Sequence, residues 1–270
     1  MIYVRDKGQM CNNILQFGHV WAFARHHGRR AVSMRFAYKY PWFRICKSPG
    51  HNFLRYVVAK LAAARGWMPV VAYDTPGEVS EDKEHLILGS RNVMVQGWEV
   101  RFYDLFLEYL DEIRDLFAFI PEVRQAVAPM LAAREGRLKL GLHVRRGDYA
   151  RWHGGRYFYT DEEYARVAAS FVRLYPERPL SVFVCGNDPS IVPDVFRKAL
   201  PDAEVVFPEG NPAEDLCLLS ECDALVGPPS TFSLVASMYR EIPLCWIENP
   251  SEEIAESSFS TFRTLFRQIR

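Results

Sequence analysis

The chain has no surplus of either charge: 33 Lys and Arg stand against 33 Asp and Glu over 270 residues, and the sequence pI is near 7.0. A protein that neutralises a long run of phosphates carries a basic surplus, so a broad nucleic-acid surface is excluded. One phosphate-bearing small molecule needs only a local arrangement and stays open. No apolar run approaches the roughly 18 residues of a membrane span. No basic segment leads into an apolar stretch at the start, where Ile2 already reads as strand, so a cytoplasmic protein without a leader is expected. The six cysteines (Cys11, Cys46, Cys185, Cys217, Cys222 and Cys245) form no CxxC and have no partners at zinc-ligand spacing. Reduced, buried thiols are therefore expected, and neither a disulfide framework nor a metal site. GxGxxG after a strand, GxxxxGK[ST] and GxSxG are also missing, which removes the usual signals of nicotinamide or flavin enzymes, P-loop kinases and serine hydrolases.

What is present is an ordinary globular mixture, 49% hydrophobic and 24% charged, too apolar for a disordered chain. Short apolar runs alternate with longer segments of three- and four-residue periodicity, the pattern of α/β layers. In the first half, strands are expected at 2–4, 31–34, 68–73 and 92–98. Helices are expected from Asn12 to Gly28, from Asn52 to Gly66, and over two stretches between 102 and 134. The polar TPGEVSEDKEHL, residues 75–86, reads as turn. The second half alternates more regularly, with strands at 138–144, 179–185 and 203–207, then DALVG and PLCWI. Thr160 and Glu163 have capping-box spacing before one of its helices, and SEEIAESSFSTFRTLFRQIR reads as a closing helix able to stay with the second lobe or cross to the first. The change of rhythm near residue 136 divides the chain into lobes 1–136 and 137–270.

Four segments carry candidate chemistry. In HVRRGDY, residues 143–149, an apolar strand delivers His143, Arg145, Arg146 and Asp148 at its carboxyl end, where open α/β sheets bind ligands. Arginine offers a planar fork for phosphate oxygens, and Asp148 could orient an arginine or bind a hydroxyl. A surface turn with a structural Arg–Asp pair is the alternative. In VGPPSTFS, Ser230, Thr231 and Ser233 sit at a helix start, where amides and hydroxyls make an anion site; an ordinary serine cap is the alternative. In VFVCGNDPS, Asp188 could accept bonds from a base or sugar, or merely cap a helix. In GQMCNNILQF, Asn12 and Gln16 lie four apart on one helix face and could reach towards a ligand, or serve only the helix surface.

These segments, in this order, resemble the bacterial α-1,2-fucosyltransferases, within the superfamily that also holds α-1,6- and protein O-fucosyltransferases. HVRRGDY is similar to the family's nucleotide-sugar motif, EDLCLLSECDALVGPPSTFS to its late segment, and GQMCNNILQF to its glycine-rich opening. The resemblance implies a GT-B-like α/β fold of two Rossmann-like lobes facing across a cleft, the first lobe taking the acceptor and the second the nucleotide sugar. It implies an inverting enzyme that moves fucose from GDP-fucose to a hydroxyl of an oligosaccharide or glycolipid, with no cofactor or metal required. By the same resemblance Arg145 binds the β-phosphate. His143 and Asp188 help hold the nucleoside, Ser230, Thr231 and Ser233 the diphosphate, and Asn12 the phosphates or sugar. Arg146, Asp148 and Gln16 complete the expected donor set, while Asp148 and Asp161 are unranked candidates for the acceptor base. Leu234-Val235 replaces a frequent pair of tryptophans, so linkage and donor stay open: another nucleotide sugar, or a catalytically weak binding protein, are the alternatives. Basic and aromatic residues from Arg35 to Lys47, including Lys39, Trp42, Phe43 and Arg44, could touch a bilayer or a lipid-linked acceptor; a loop packed against the first lobe's own helices is the alternative.

Overall fold

Buried parallel strands read as nearly continuous apolar runs because helices cover both their faces, and the chain uses such runs to build two sheets. The computed structural model describes residues 1–76, 80–186 and 188–269, so Asn187 lies outside the described residues. Two units, Met1–Ile120 and Pro121–Arg270, each enclose their own core. The division falls ahead of the change of rhythm near 136, because the helix opened by Pro121 packs within the second unit.

In the first unit the elements are β1 (Ile2–Arg5), α1 (Met10–His26), β2 (Ala31–Ser33), α2 (Phe53–Ala64), β3 (Val70–Ala72), α3 (Glu81–Gly89), β4 (Val93–Gln96), α4 (Tyr103–Glu108) and α5 (Leu110–Leu116). The strands are parallel in the order β2-β1-β4-β3. Helix α1 is buried along most of its length, which suits its mostly apolar sequence. Helix α3 corrects the turn expected over 75–86: Ser80 accepts the backbone N–H of Lys83 and three acidic residues occupy the first turn, so local capping and dipole effects outweigh the lack of an apolar stripe. The segment from Arg35 to Lys47 folds inward, with Phe36, Tyr40, Phe43 and Ile45 in the core. Tyr38, 44% exposed, and the half-buried Trp42 remain at its surface.

The second unit contains α6 (Pro121–Ala132), β5 (Leu138–His143), α7 (Asp161–Leu174), β6 (Leu180–Cys185), α8 (Pro193–Ala199), β7 (Ala203–Val206), α9 (Pro212–Leu219), β8 (Ala224–Gly227), α10 (Thr231–Arg240), β9 (Leu244–Trp246) and α11 (Phe262–Leu265). All five strands are parallel, in the order β7-β6-β5-β8-β9. The capping box of Thr160 and Glu163 opens α7 as the spacing predicts. The closing segment is not one helix: only Phe262–Leu265 is α-helical, and it packs on α10 after Ser260 bridges to Leu244. Helix α11 falls within the second unit, where it packs on α10.

From β5 the chain builds outward through β6 and β7, then returns to place β8 on the other edge of β5. The gap between the carboxyl ends of β5 and β8 is the switch point of this sheet, where the two halves' loops diverge and leave a crevice. HVRRGDY leaves one side of that crevice and GPPSTFS the other.

Candidate functional site

Two glycines bring the loops together. A Cβ on Gly227, at the end of β8, would lie 2.9 Å from the His143 carbonyl oxygen, and one on Gly186, after β6, would lie 2.7 Å from the Val144 carbonyl oxygen. Only a residue without a side chain lets either backbone crowd the end of β5 this closely. Across the crevice, the Tyr149 hydroxyl donates to the Pro229 carbonyl at 2.5 Å, and burial pushes its pKa up to about 12. The loop after β5 and the turn before α10 are therefore fastened to each other directly.

Arg145 projects between them. The Tyr164 hydroxyl receives its backbone N–H at 3.1 Å and donates to its carbonyl at 3.2 Å, so one side chain clamps both faces of the residue. The Arg145 guanidinium lies 5.4 Å from the centre of the Tyr149 ring and bonds Asp148 at 2.8–3.0 Å, while its buried Nε has no acceptor among the described residues. Asp148 is 67% exposed, and such a pair is worth at most about 1 kcal/mol. An incoming anion can take the guanidinium from it at little cost. Asp148 thus orients Arg145, one of the two roles its sequence position allowed.

His143 is buried and stacks on Phe232 with ring centres 4.9 Å apart. Burial and, secondarily, the Arg145 charge push its pKa down to about 3, so the ring is neutral near pH 7, and its Nδ1 has no partner among the described residues. Ser230 caps α10 by accepting the Phe232 N–H at 3.2 Å, and Ser233 turns its hydroxyl back to the Ser230 carbonyl. Thr231 opens the helix, half-buried, so the positive end of a ten-residue helix faces the crevice.

Arg146 takes a different place from Arg145. It is buried and is ringed by protein acceptors: the Tyr159 carbonyl at 3.0 Å, Asp161 at 2.5 Å, the Ser190 hydroxyl at 3.4 Å and Asp188 at 3.7 Å. Asp161 accepts the Val192 N–H on its other oxygen at 2.9 Å, so both oxygens are engaged within the protein. Asp188 accepts the N–H and hydroxyl of Ser190, which with Arg146 holds its pKa down. Arg146, Asp161 and Asp188 form the scaffold that joins the ends of β5 and β6 to the start of α7.

The first-unit candidates lie on α1. Gln16 is buried and donates to the Lys7 and Asn12 carbonyls at 2.6 and 3.0 Å while accepting the Lys7 N–H at 3.1 Å, so it holds the loop after β1 and presents no free amide. Asn12, half-buried on the first turn, lies under Gly8, whose positive φ of 86° places the loop against it.

Four participants escape the sequence reading. Tyr149, Tyr164 and Phe232 look like ordinary core aromatics until their partners are known. Asp215, in the first turn of α9 beside Cys185, has a buried carboxylate oxygen without a partner among the described residues and a pKa raised to about 7 by burial and by Glu214. The Asn211/Glu214 capping box, readable as NPAE, was the available sign that this helix starts here. Among the described residues no group of three or more His, Cys, Asp or Glu could hold a metal ion, and no helix is long and apolar enough to cross a membrane.

No family model matches the chain. It is 26% identical over 264 residues to galactoside 2-alpha-L-fucosyltransferase Sec1 of Mus musculus, with 88% of this chain and 64% of that protein covered. The chain thus spans less than two thirds of that curated relative. Among solved structures, a mutant of Arabidopsis thaliana FUT1 in complex with GDP superposes with a TM-score of 0.67 at 13% identity, over 96% of this chain and 73% of that one. NodZ α-1,6-fucosyltransferase of Bradyrhizobium, co-crystallised with GDP, gives 0.58 at 15% identity over 93% and 96%. The fold is the α/β, GT-B architecture of these enzymes.

Proposed function

We propose that this chain, a member of the fucosyltransferase superfamily, transfers fucose from GDP-fucose to a glycan hydroxyl, with inversion and to the 2-position. The observation that carries the reading is the pairing, at one switch point, of Arg145 with the amino end of α10, fastened together by Tyr149. Departure of a nucleoside diphosphate puts negative charge on its terminal phosphate, and a rate gain requires partners that bind that charge more tightly as it develops. Arg145 supplies a guanidinium whose carboxylate partner, Asp148, is exposed and weakly held, and the first turn of α10 adds backbone amides and the helix dipole. Ser230, Thr231 and Ser233 line that turn. The neutral His143 ring and Asp188 stand on the nucleoside side, and Asp215 joins them as a further polar group. Arg146 contributes by holding Asp188 and Asp161 in place. The 2-position rests on the α-1,2 class of the mammalian relative, and GDP on the ligands of the two structural neighbours.

The direct trial incubates purified protein with GDP-fucose and a panel of oligosaccharides, following GDP release and a mass gain of one fucose. The anomer and linkage of the product are then read by NMR. Tighter competition by UDP-sugars than by GDP-fucose would replace the donor. Absence of binding and turnover with every nucleotide sugar would leave a fold without this activity.

A further inference from the structure

Helix α2 is inverted with respect to side-chain size. Its inward face uses Ala59, Ala62 and Ala63, with Tyr56, against Met34, Met68 and Met94. Its outward face carries Leu54, Val58 and Leu61, at four- and three-residue spacing, which are 73%, 58% and 46% exposed. Phe53 at the start of the helix and Trp67 just beyond its end are 61% and 74% exposed and extend the same apolar region. Single exposed apolar residues need no explanation, but a contiguous rank of large ones marks a surface that something covers.

The charge around it says what. From Lys7 to Tyr73 the sequence has eleven Lys and Arg and no Asp or Glu, in a protein whose total charge is zero. Several of these cations are already engaged: Lys7 with Asp74, Arg25 with Glu112, and Arg44 with Asp115. Arg55, Lys60 and Arg65, on α2 and at its end, pair with no carboxylate among the described residues; Lys60 and Arg65 instead lie 5.7 Å over Tyr56 and 5.3 Å over Trp67. Behind the helix, a pocket of about 280 Å³ is lined by Lys60 together with Arg5, Arg35 and the buried Asp6. A second copy of the chain suits this face poorly, since a two-fold contact would set Arg55, Lys60 and Arg65 against one another with no acid in the patch to separate them.

We propose that α2 docks the protein on an anionic lipid surface. Leu54, Val58, Leu61 and Trp67 enter the boundary between headgroups and acyl chains, and Arg55, Lys60 and Arg65 meet lipid phosphates. The contact lies one element beyond the segment at 35–47 that sequence pattern alone suggests, of whose rings Phe36, Tyr40 and Phe43 are buried. It rests on none of the donor-site residues and stands whether or not the transfer reaction is fucosylation.

The test is flotation of the full chain with vesicles of phosphatidylcholine alone and of phosphatidylcholine mixed with phosphatidylglycerol. The protein is expected to float with the anionic vesicles only, and to be released by high salt. Leu54→Ser/Val58→Ser/Leu61→Ser should weaken binding by about tenfold or more. Lys60→Gln/Arg65→Gln should weaken it roughly fivefold per charge removed. Both variants change exposed positions, and an unaltered thermal unfolding curve confirms that they fold. Failure of the unmodified protein to float with anionic vesicles overturns the proposal, as does equal flotation of the serine variant. A dimer in sedimentation velocity that the serine variant dissociates would assign the face to a second copy instead.

Discussion

The two arginines that leave β5 side by side have different surroundings, Arg146 enclosed and Arg145 paired with an exposed carboxylate, and the Arg146–Asp161 pair offers the sharpest test of what that difference does. Both side chains are under 10% exposed, and removing one partner of such a pair strands a buried charge at a cost of about 3–5 kcal/mol. Asp161→Leu leaves the Arg146 guanidinium with only the more distant Asp188 as anion and the Val192 N–H without its acceptor. Arg146→Met leaves the Asp161 carboxylate unpaired and the Tyr159 carbonyl without its donor. Each should therefore lose about 3 kcal/mol, a large part of the 5–15 kcal/mol that domains typically possess. Replacing both side chains by apolar ones removes the stranded charge. The double variant should cost about 3–4 kcal/mol where additivity gives about 6, a coupling of about 2–3 kcal/mol. Urea unfolding of the four proteins, followed by circular dichroism, measures the cycle. GDP binding by calorimetry on the same samples asks whether the pair also touches the ligand. Additivity to within about 0.5 kcal/mol would refute the account of the pair as one buried unit. A well-folded double variant that binds GDP as poorly as an Arg145 variant would show that Arg146 meets the donor itself.

Arg145→Ala should lower kcat/KM for GDP release by about 10²–10³ while leaving the unfolding midpoint nearly unchanged; retained turnover would remove Arg145 from the leaving-group role. Tyr149→Phe keeps the ring beneath Arg145 but deletes the bond to Pro229, so calorimetry should show a loss of about 1–2 kcal/mol and weaker GDP binding. An unchanged Tm and affinity would mean that the two loops need no fastening. Asp6 is buried, and burial raises its pKa from 3.8 to about 7 despite the Ser33 hydroxyl bond. Between those values the folded state holds a proton that the unfolded state has released, so this group's contribution to stability falls as pH rises from about 4 to about 7. Denaturant melts across that range should show a shallower decline for Asp6→Asn than for the parent, and parallel curves would contradict the assignment.

The strands of the second unit were legible because burial on both faces makes them uninterrupted apolar runs, as in LKLGLH and LSVFVC. The motif loops were legible because polar residues follow those runs abruptly. What pattern could not separate was Arg145 from Arg146. The two are adjacent and chemically identical, and only the three-dimensional positions of Asp161 and Tyr159 decide which is enclosed. The same holds for Gln16, whose amide serves a loop nine residues earlier in the chain. Helix α3 is not legible because its polar sequence has no stripe, and the helical composition of 251–261 misleads because Ile254 and Phe259 reach the core from irregular backbone that ends in the bridge from Ser260 to Leu244. Asp215 gave no signal beyond its place after a capping box, since an unpartnered oxygen is a property of the surroundings and not of the residue.

The position of β5 at the centre of its sheet also sets an order of events during synthesis. Its partner on one side, β6, is made some forty residues later and β7 follows, but β8, its partner on the other side, begins only at Ala224. Until then one edge of LKLGLH stands open, an apolar strand with unpaired N–H and C=O groups of the kind that other chains can join. The Tyr149–Pro229 fastening cannot form before β8 is docked, so the crevice is among the last features the unit acquires. A nascent chain stalled before residue 224 should accordingly be prone to aggregate and unable to hold nucleotide, and the protein's yield in cells should depend on how quickly the closing strand arrives.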